Sequence, residues 1–185
     1  MTSMYLYRTV LPTPLGDMLA LSSDAGLCAL EFTTVKARPR GEERLSRLTA
    51  RLGRWFPPHQ IVERETAVIA RTRRWLEEYY AGRAADISEI RLDMRGAPFE
   101  RRVWTALQAI PAGQTTSYGA IAQALASPGA SRAVGAANGA NPIAIIVPCH
   151  RVVGSSGSLT GYGGGLDRKT WLIDHERRWR TEQLF

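Results

Sequence analysis

The segment that most restricts the fold is a short apolar run, residues 143–147, that leads directly into Pro148, Cys149 and His150. Five consecutive apolar residues behind an Asn-Pro turn predict a buried strand. A strand that stops at a proline would hold the following thiol and imidazole at one place. These are the two groups needed to make a thiolate nucleophile near neutral pH.

The sequence leaves open whether Cys149 and His150 act together. Neighbouring side chains of an extended chain point to opposite sides, so their contact requires a turn or a bridging water. Free cysteine is also among the most buried residue types, and an inert core thiol is an equally good interpretation of Cys149.

Composition indicates a globular protein. The 185 residues, 44% of them hydrophobic, can bury a core as one large domain or two small ones. No apolar stretch approaches the roughly 20 residues that span a bilayer, and no signal-peptide pattern opens the chain.

The distant Cys28 and Cys149 make no disulfide framework, which predicts a reducing, cytoplasmic location. No second cysteine or histidine lies at ligand spacing near Cys149, and Val152 stands where a Pro-Cys-x-x-Cys motif needs its second cysteine, so we expect no zinc.

The distribution of charge points to a polyanionic partner. The formal net charge is +7, although solvated helix faces would account for much of it. No Asp or Glu occurs between Arg101 and Leu166. That interval contains four arginines: Arg101, Arg102, Arg132 and Arg151. An acid-free stretch around the candidate nucleophile suits a surface that lies against phosphates.

Residues 1–92 predict a small domain without a clustered site. Short β-like runs separated by turn residues predict an antiparallel meander of three strands: Tyr5–Val10, Met18–Ser22 and Leu27–Phe32. Two helices and one further strand are expected to follow: Glu42–Phe56, Ile61–Tyr80 and Asp86–Leu92. Cys28 is interpreted as a core residue and His59 as a surface loop residue.

Residues 93–185 predict short helices. Pro98 opens a helix that runs to Ile110, Ser117 caps a second, and Ser131 caps a third that is made of small residues. Two short helices joined by a tight turn at residues 127–129 are typical of a helix-turn-helix. Small residues would equally permit close packing in a core, and the acid-free context favours DNA binding.

The segment after the site is rich in serine and glycine. Residues 152–162 predict a hairpin or wing whose hydroxyl and N–H groups, Ser155 among them, would reach phosphates. Gly163 and Gly164 leave space for a flat ligand beside Tyr162. A flexible turn is the alternative.

A last helix, capped by Asp167, carries Glu176. This carboxylate is the best candidate to orient His150 as the third member of a nucleophile relay. An exposed helical glutamate is the alternative. The predicted fold is α+β, with a small amino-terminal antiparallel β-sheet domain with helices (1–92) and a mostly helical, winged helix-turn-helix-like carboxy-terminal domain (93–185).

Residues 99–176 resemble the O6-alkylguanine-DNA alkyltransferases, or methylated-DNA–protein-cysteine methyltransferases. Four ordered motifs carry the resemblance: RVWTALQAIPAGQTTSYGAIA, SRAVGAANGANPI, VPCHRVVG and SLTGYGGGLDRKTWL. The amino-terminal part resembles the family mainly through the PTPLG turn at Pro12–Gly16. The resemblance implies a DNA repair protein that flips O6-alkylguanine, and less well O4-alkylthymine, out of duplex DNA. The alkyl group would pass irreversibly to the protein's own cysteine, once per molecule.

The resemblance also assigns roles. Cys149 would be the nucleophile and alkyl acceptor, with His150 as a base acting through water and Glu176 holding His150. Asn141 would fix the turn beside the thiol. Tyr118 would crowd the phosphate and help to rotate and protonate the base.

Further assignments concern the ligands. Arg132 would fill the gap left by the flipped base. The other expected DNA contacts lie on the helix-turn-helix and the wing: Tyr118, Ser117, Ala133, Gly135 and Ser155. The expected base pocket is lined by Val152, Tyr162, Gly163 and Gly164. No metal or organic cofactor is implied, and the partner is double-stranded DNA containing alkylated guanine, not a membrane. A monomer is expected, with cooperative assembly on DNA left open.

Two other functions remain compatible with parts of the sequence. A non-catalytic helix-turn-helix lesion sensor or regulator would explain the charge and the short helices, but not the group of Cys149, His150 and Glu176. A cysteine hydrolase would explain the thiol and the imidazole, but not the acid-free surface.

Overall fold

The computed structural model describes residues 4–34, 40–83 and 86–182. The chain divides into two compact units, Met1–Arg95 and Gly96–Phe185. The division falls at residue 95, against residue 92 in the prediction from sequence. The fold is mixed α+β, as predicted. No helix in the described ranges has the length and apolarity needed to cross a membrane.

A four-stranded sheet forms the centre of the first unit. Its strands are β1 (Met4–Leu11), β2 (Met18–Ser22), β3 (Leu27–Phe32) and β4 (His59–Glu63), in the order β3-β2-β1-β4. The first three pair antiparallel, which confirms the predicted meander. The fourth pairs parallel with β1.

The structure differs from the prediction from sequence at the edge strand β4 and at the end of the unit. His59 and Ile61 belong to β4, whereas a loop and a helix were predicted there. The helix begins only at Ala67, because the Thr66 side chain accepts a hydrogen bond from the backbone N–H of Ile69. The strand predicted for residues 86–92 is also wrong: residues 86–91 form turns and loop, and Leu92 makes a single bridge to Leu27.

Two helices, α1 (Arg40–Trp55) and α2 (Ala67–Tyr80), complete this unit. One core cluster joins the sheet to α1 and the residue after it: Leu6, Leu21, Cys28, Ala29, Leu48, Leu52 and Phe56. Cys28 is therefore a core residue, as predicted. Burial raises the pKa of the Cys28 thiol to about 11, so this cysteine stays protonated and inert at neutral pH.

The second unit consists mainly of helices. In chain order it contains α3 (Pro98–Gln108), β5 (Thr116–Ser117), α4 (Tyr118–Ala124), α5 (Ser131–Gly139), a 3₁₀ turn (Cys149–Arg151), β6 (Val152–Val153) and α6 (Leu166–Glu182). The Trp104 side chain is fully buried and donates to the carbonyl of Ala137 at 2.8 Å, which fixes α3 against α5. Helices α4 and α5 pack together across the turn at Gly129, whose φ is +85°.

The helix starts agree only in part with the caps predicted from sequence. Ser117 caps α4, because its side chain accepts from the backbone N–H of Ala120. Ser131 does not cap α5, since the cap residue is Ala130 and Ser131 is the first residue of the helix. Asp167 likewise lies inside the first turn of α6, which begins at Leu166.

The wing-like segment closes on itself without forming a hairpin of two strands. The strand β6 pairs in parallel with β5, with Thr116 opposite Val152. Beyond β6 the loop is closed by hydrogen bonds from the N–H of Gly154 to the carbonyl of Ser158 and from Gly157 back to Gly154. The hairpin interpretation is therefore wrong, because the partner of β6 precedes α4.

Candidate active site

The segment before Cys149 is a buried turn. Residues 143–147 are all buried, as predicted, but residue 143 makes only a bridge, residues 144–147 form turns and a bend, and Ile145 has a left-handed φ of +69°. The predicted strand is therefore wrong. The Asn141 side chain takes the place of a neighbouring strand: its Oδ1 accepts from the N–H of Ile143 at 3.0 Å, and its Nδ2 donates to the carbonyls of Val147 at 2.8 Å and Ile143 at 3.3 Å. The Asn141 amide thus adds three hydrogen bonds to those that the turn makes within its own backbone, such as the one from the Val147 N–H to the Ile143 carbonyl at 3.1 Å.

A 3₁₀ turn then places the thiol and the imidazole. The N–H of Cys149 donates to Val147 at 2.8 Å, and that of Arg151 donates to Pro148 at 3.0 Å. With three residues in each turn, successive side chains are about 120° apart, so they do not point to opposite sides as in a strand. Cys149 is 5% exposed and His150 is fully buried. The turn that their cooperation requires is present.

Glu176 of α6 meets His150 in the interior. Its Oε1 lies 2.8 Å from His150 Nε2, and only 1% of the residue is exposed. The backbone N–H of Gly113 donates to Oε2 at 3.1 Å. Arg151 donates to both carboxylate oxygens at 2.9 Å and also to the carbonyl of Ile110. The alternative of an exposed helical glutamate is therefore wrong.

The protonation states follow from these contacts. Burial opposes ionisation of Glu176, but the hydrogen bonds from His150 and Arg151 and the charge of Arg151 outweigh it and hold the pKa of the carboxyl below its ordinary value. Burial lowers the pKa of His150 by more than the Glu176 hydrogen bond raises it. The resting state is thus an ionised Glu176 beside a neutral His150.

The tautomer of His150 leaves one nitrogen available. When the Nε2–H of the neutral ring donates to Glu176, Nδ1 carries the lone pair and can accept a proton. Nδ1 is buried and has no hydrogen-bond partner among the described residues. The imidazole is therefore oriented by a carboxylate on one side and able to act as a base on the other.

Three residues of this interior were not predicted to belong to the site, and one of them, Arg151, was expected on a surface that lies against phosphates. Arg151 binds Glu176, and Asn138 donates from Nδ2 to the Cys149 carbonyl at 3.4 Å. Lys169 donates to the carbonyl of Val152 in β6 and to that of Thr160 in the loop that follows. Arginine and lysine are usually exposed, so periodicity gave no indication of their burial. Arg151 and Lys169 do occur within the motifs VPCHRVVG and SLTGYGGGLDRKTWL.

The expected base-pocket residues lie around this turn. The Tyr162 ring is edge-on to the His150 ring, with centroids 6.5 Å apart. Val152 is buried and its carbonyl accepts from Lys169 at 2.6 Å. Gly163 is half-buried, and Gly164 is buried with its carbonyl bound to Arg168 at 2.9 Å.

The expected DNA contacts lie outside this interior. On α5, Arg132 and Ala133 are exposed, and Ser155 is exposed in the loop after β6. Tyr118 opens α4, and its hydroxyl lies 3.5 Å from the Thr160 carbonyl.

Gly135 of α5 lies beside the Tyr118 ring of α4. A Cβ at position 135 would be 3.8 Å from that ring, an ordinary van der Waals contact, so the packing here would also accept alanine. The half-buried Ser117 uses its side chain for the α4 cap. Within residues 4–34, 40–83 and 86–182, no cluster of three or more His, Cys, Asp or Glu side chains could hold a metal ion.

Comparison with known proteins gives one family. Residues 98–178 match the family model described as 6-O-methylguanine DNA methyltransferase, DNA binding domain. A methylated-DNA–protein-cysteine methyltransferase of Mycobacterium leprae is 42% identical over 165 residues, which are 89% of this chain and 88% of the relative.

Shorter matches are more similar. The corresponding protein of Mycolicibacterium paratuberculosis is 63% identical over 103 residues, 56% of this chain and 62% of the relative. That of Salmonella typhimurium is 58% identical over 101 residues, 55% of this chain and 59% of the relative. In these two matches the chain spans about three fifths of the relative's length.

Solved structures are similar over nearly the whole chain. The O6-methylguanine methyltransferase of Mycobacterium tuberculosis is 38% identical with a TM-score of 0.74, covering 94% of this chain and 93% of that one. A structure of Mycobacterium tuberculosis OGT in complex with DNA is also 38% identical, with a TM-score of 0.72 and coverages of 95% and 94%.

Proposed function

The chain belongs to the methylated-DNA–protein-cysteine methyltransferase family, and we propose that it repairs duplex DNA by moving the alkyl group of O6-alkylguanine onto its own Cys149. Each molecule acts once. O4-alkylthymine is a second and poorer substrate of the same chemistry. No metal or organic cofactor takes part.

The observation that carries this proposal is the buried relay behind the thiol. His150 binds Glu176 through Nε2 at 2.8 Å, and its Nδ1 is available as a base in the same turn as Cys149. A water between Nδ1 and the Cys149 sulfur would pass the thiol proton to the imidazole. The ionised Glu176 then stabilises the imidazolium, as the carboxylate does in other nucleophile relays.

The reaction is a displacement at an alkyl carbon. The Cys149 thiolate attacks in line with the C–O bond, a C–S bond forms, and the electron pair of the broken bond passes to guanine O6. A proton donor such as the Tyr118 hydroxyl neutralises the departing guanine anion. The product is a thioether. No ordinary side chain cleaves a thioether, so turnover stops at one.

The helix-turn-helix of α4 and α5 supplies the DNA-binding face in this proposal. The exposed Arg132 at the start of α5 fills the space of the flipped base. The small Ala133 and Gly135 let the helix approach the minor groove, and the hydroxyls of Ser117 and Ser155 contact phosphates. The DNA complex of the Mycobacterium tuberculosis relative supports DNA as the partner.

The flipped base enters beside Tyr162. Its ring stands edge-on to His150, and Gly163 and Gly164 place no side chain in the way of a planar base. The carbonyls of Cys149 and Val152 accept hydrogen bonds from the guanine amine. Unstacking the base costs a few kcal/mol and less for a damaged pair, which favours the lesion over intact guanine.

Intact mass spectrometry tests the proposal. After incubation with a duplex that contains one O6-methylguanine, the protein should gain one methyl group, on the peptide that carries Cys149. Cys149→Ala should gain nothing, and Cys28→Ala, which removes the other thiol, should still gain the methyl group. Protein that binds the duplex but keeps its mass would instead be a lesion sensor or regulator, and the repair function would be refuted.

A further inference from the structure

Lys169 is a fully buried lysine on α6, and the relay of His150 and Glu176 does not use it. Its ammonium donates to the carbonyls of Val152 at 2.6 Å, Thr160 at 2.7 Å and Gly161 at 3.4 Å. Among the described residues, no carboxylate forms an ion pair with it. Carbonyl dipoles replace only part of the hydration that a buried ammonium loses. Lys169 is thus a buried positive charge with no acidic partner among the residues that the structure describes.

Val152 connects this charge to the nucleophile. The carbonyl of Val152 accepts from Lys169, and its N–H donates to the carbonyl of Cys149 at the end of the 3₁₀ turn. Burial lowers the pKa of Lys169, and the charge of the Cys149 thiolate acts in the opposite direction. The ammonium and the sulfur therefore belong to one buried cluster and interact electrostatically.

The charges of this cluster balance only when the sulfur is ionised. Arg151 and Lys169 each contribute one positive charge, Glu176 contributes one negative charge, and His150 is neutral at rest. With a protonated thiol the sum is +1. While His150 holds the thiol proton the sum stays +1, and it becomes zero when that proton has left the cluster and the sulfur remains a thiolate. Arg151 is bound to Glu176 through both carboxylate oxygens, so the uncompensated charge is that of Lys169.

We propose that Lys169 is the counter-charge of the Cys149 thiolate and so a positioning residue for alkyl transfer. The inference rests on the proposed role of Cys149 as nucleophile. His150 removes the thiol proton, whereas Lys169 stabilises the anion that remains. The titratable and charged groups of this cluster are His150 and Arg151 from the turn of Cys149, Glu176 and Lys169 from α6, and the Tyr118 hydroxyl, which shares the Thr160 carbonyl with Lys169.

The first test is the pH profile of Cys149 alkylation by iodoacetamide, followed on the Cys149 peptide. Lys169→Gln should move the midpoint of the rate to higher pH by about one unit, which is a tenfold loss of rate below the midpoint. Lys169→Arg keeps the charge and should retain most of the normal midpoint. A purely structural role would change the rate at every pH without moving the midpoint, and equal midpoints in the Gln and Arg variants would overturn the proposal.

A second measurement leaves Lys169 intact. The chain has only two lysines, Lys36 and Lys169, so lysine side-chain labelling gives two NMR signals that Lys36→Arg assigns. The pKa of Lys169 should be lower in Cys149→Ser than in the unmodified protein, because the thiolate that supports the ammonium is gone. The same pKa in both proteins would refute the charge pair even if the Lys169 variants failed to fold.

The two proposals fail in different ways. If the unmodified protein takes a methyl group from an O6-methylguanine duplex but the pH profile of Lys169→Gln is not shifted, the repair function is supported and the counter-charge role of Lys169 is refuted. If the pH profile of Lys169→Gln is shifted but the unmodified protein takes no methyl group from the duplex, the counter-charge role is supported and the repair function is refuted.

Discussion

At the scale of single residues, the turn that carries Cys149 depends on Asn141. Its side chain makes three hydrogen bonds to the backbone of residues 143 and 147, all of them buried. Residues 143–147 belong to none of the strands in the part of the chain that the structure describes. The Asn141 amide therefore helps to hold the proposed nucleophile at its position, and it contributes both to stability and to reactivity.

Asn141→Ala should lower the free energy of unfolding by about 3 kcal/mol, because the buried N–H of Ile143 loses its acceptor and the carbonyls of Ile143 and Val147 each lose one of two hydrogen bonds. Urea denaturation measures this loss, and methyl transfer should slow in parallel. Asn138→Ala is the matched control: it also removes a buried asparagine, but only one hydrogen bond of 3.4 Å, from a side chain whose Oδ1 has no partner among the described residues. Its cost should be about 1 kcal/mol or less. Equal losses in the two variants would contradict the role given to Asn141.

At the scale of elements, the two helices of the helix-turn-helix begin in different ways. The Ser117 side chain caps α4, whereas the Ser131 side chain makes no cap hydrogen bond at α5. Ser117→Ala should therefore cost about 1 kcal/mol of stability, and Ser131→Ala should stay within about 0.5 kcal/mol. Thermal or urea denaturation of the two variants side by side measures both changes in the free energy of unfolding. A larger decrease in Ser131→Ala than in Ser117→Ala would contradict the assigned caps.

The exposed Arg132 separates DNA binding from chemistry within the same element. Arg132→Ala should lose repair of O6-methylguanine in duplex DNA but keep transfer from a free O6-alkylguanine base, because Cys149, His150 and Glu176 are unchanged. Arg177→Ala removes the same charge from the exposed face of α6 and should retain both activities. Parallel loss of both reactions in Arg132→Ala would place Arg132 in the chemical site instead.

How far the sequence predicts these elements depends on the range of the interactions that form them. The sequence correctly predicts the cap at Ser117 and the start of α3 at Pro98, because both depend on interactions between residues close together in the chain. The strand β4 is stabilised by pairing with β1 more than 50 residues away, which periodicity cannot show. The apolar residues 143–147 are buried as predicted, but burial does not distinguish a strand from a turn held by Asn141.

Within the site, the sequence identifies the groups and leaves their arrangement undetermined. Cys149, His150 and Glu176 stand out by residue type and by resemblance, and the structure brings His150 and Glu176 into contact. The burial of Arg151 and Lys169 depends on Glu176 and on backbone carbonyls that come from other elements. Such partners are invisible in the local sequence, because a charged residue is normally solvated.

At the scale of the whole molecule, the buried relay makes stability depend on pH. Burial holds the pKa of His150 below its ordinary value of 6.5, so the unfolded chain binds a proton that the folded protein does not. Stability should therefore fall as the pH decreases through about 6.5. The lowered pKa of Glu176 acts in the same direction at lower pH: its contribution is present above the ordinary carboxyl pKa of 4.5 and is lost as the carboxylate becomes protonated.

Thermal unfolding between pH 8 and pH 5 measures the histidine contribution before the carboxylate contribution begins. The midpoint temperature should fall between pH 7 and pH 5, and the fall should be smaller in His150→Gln, which has no titratable group at that position. Glu176→Gln tests the other partner: without the carboxylate, the hydrogen bond that raises the pKa of His150 is weakened. The variant should be less stable at neutral pH because Arg151 is then a buried charge without its partner. An equal pH dependence in the unmodified protein and in His150→Gln would show that His150 does not remain neutral in the fold, and the base assigned to the thiol proton would have to be sought elsewhere.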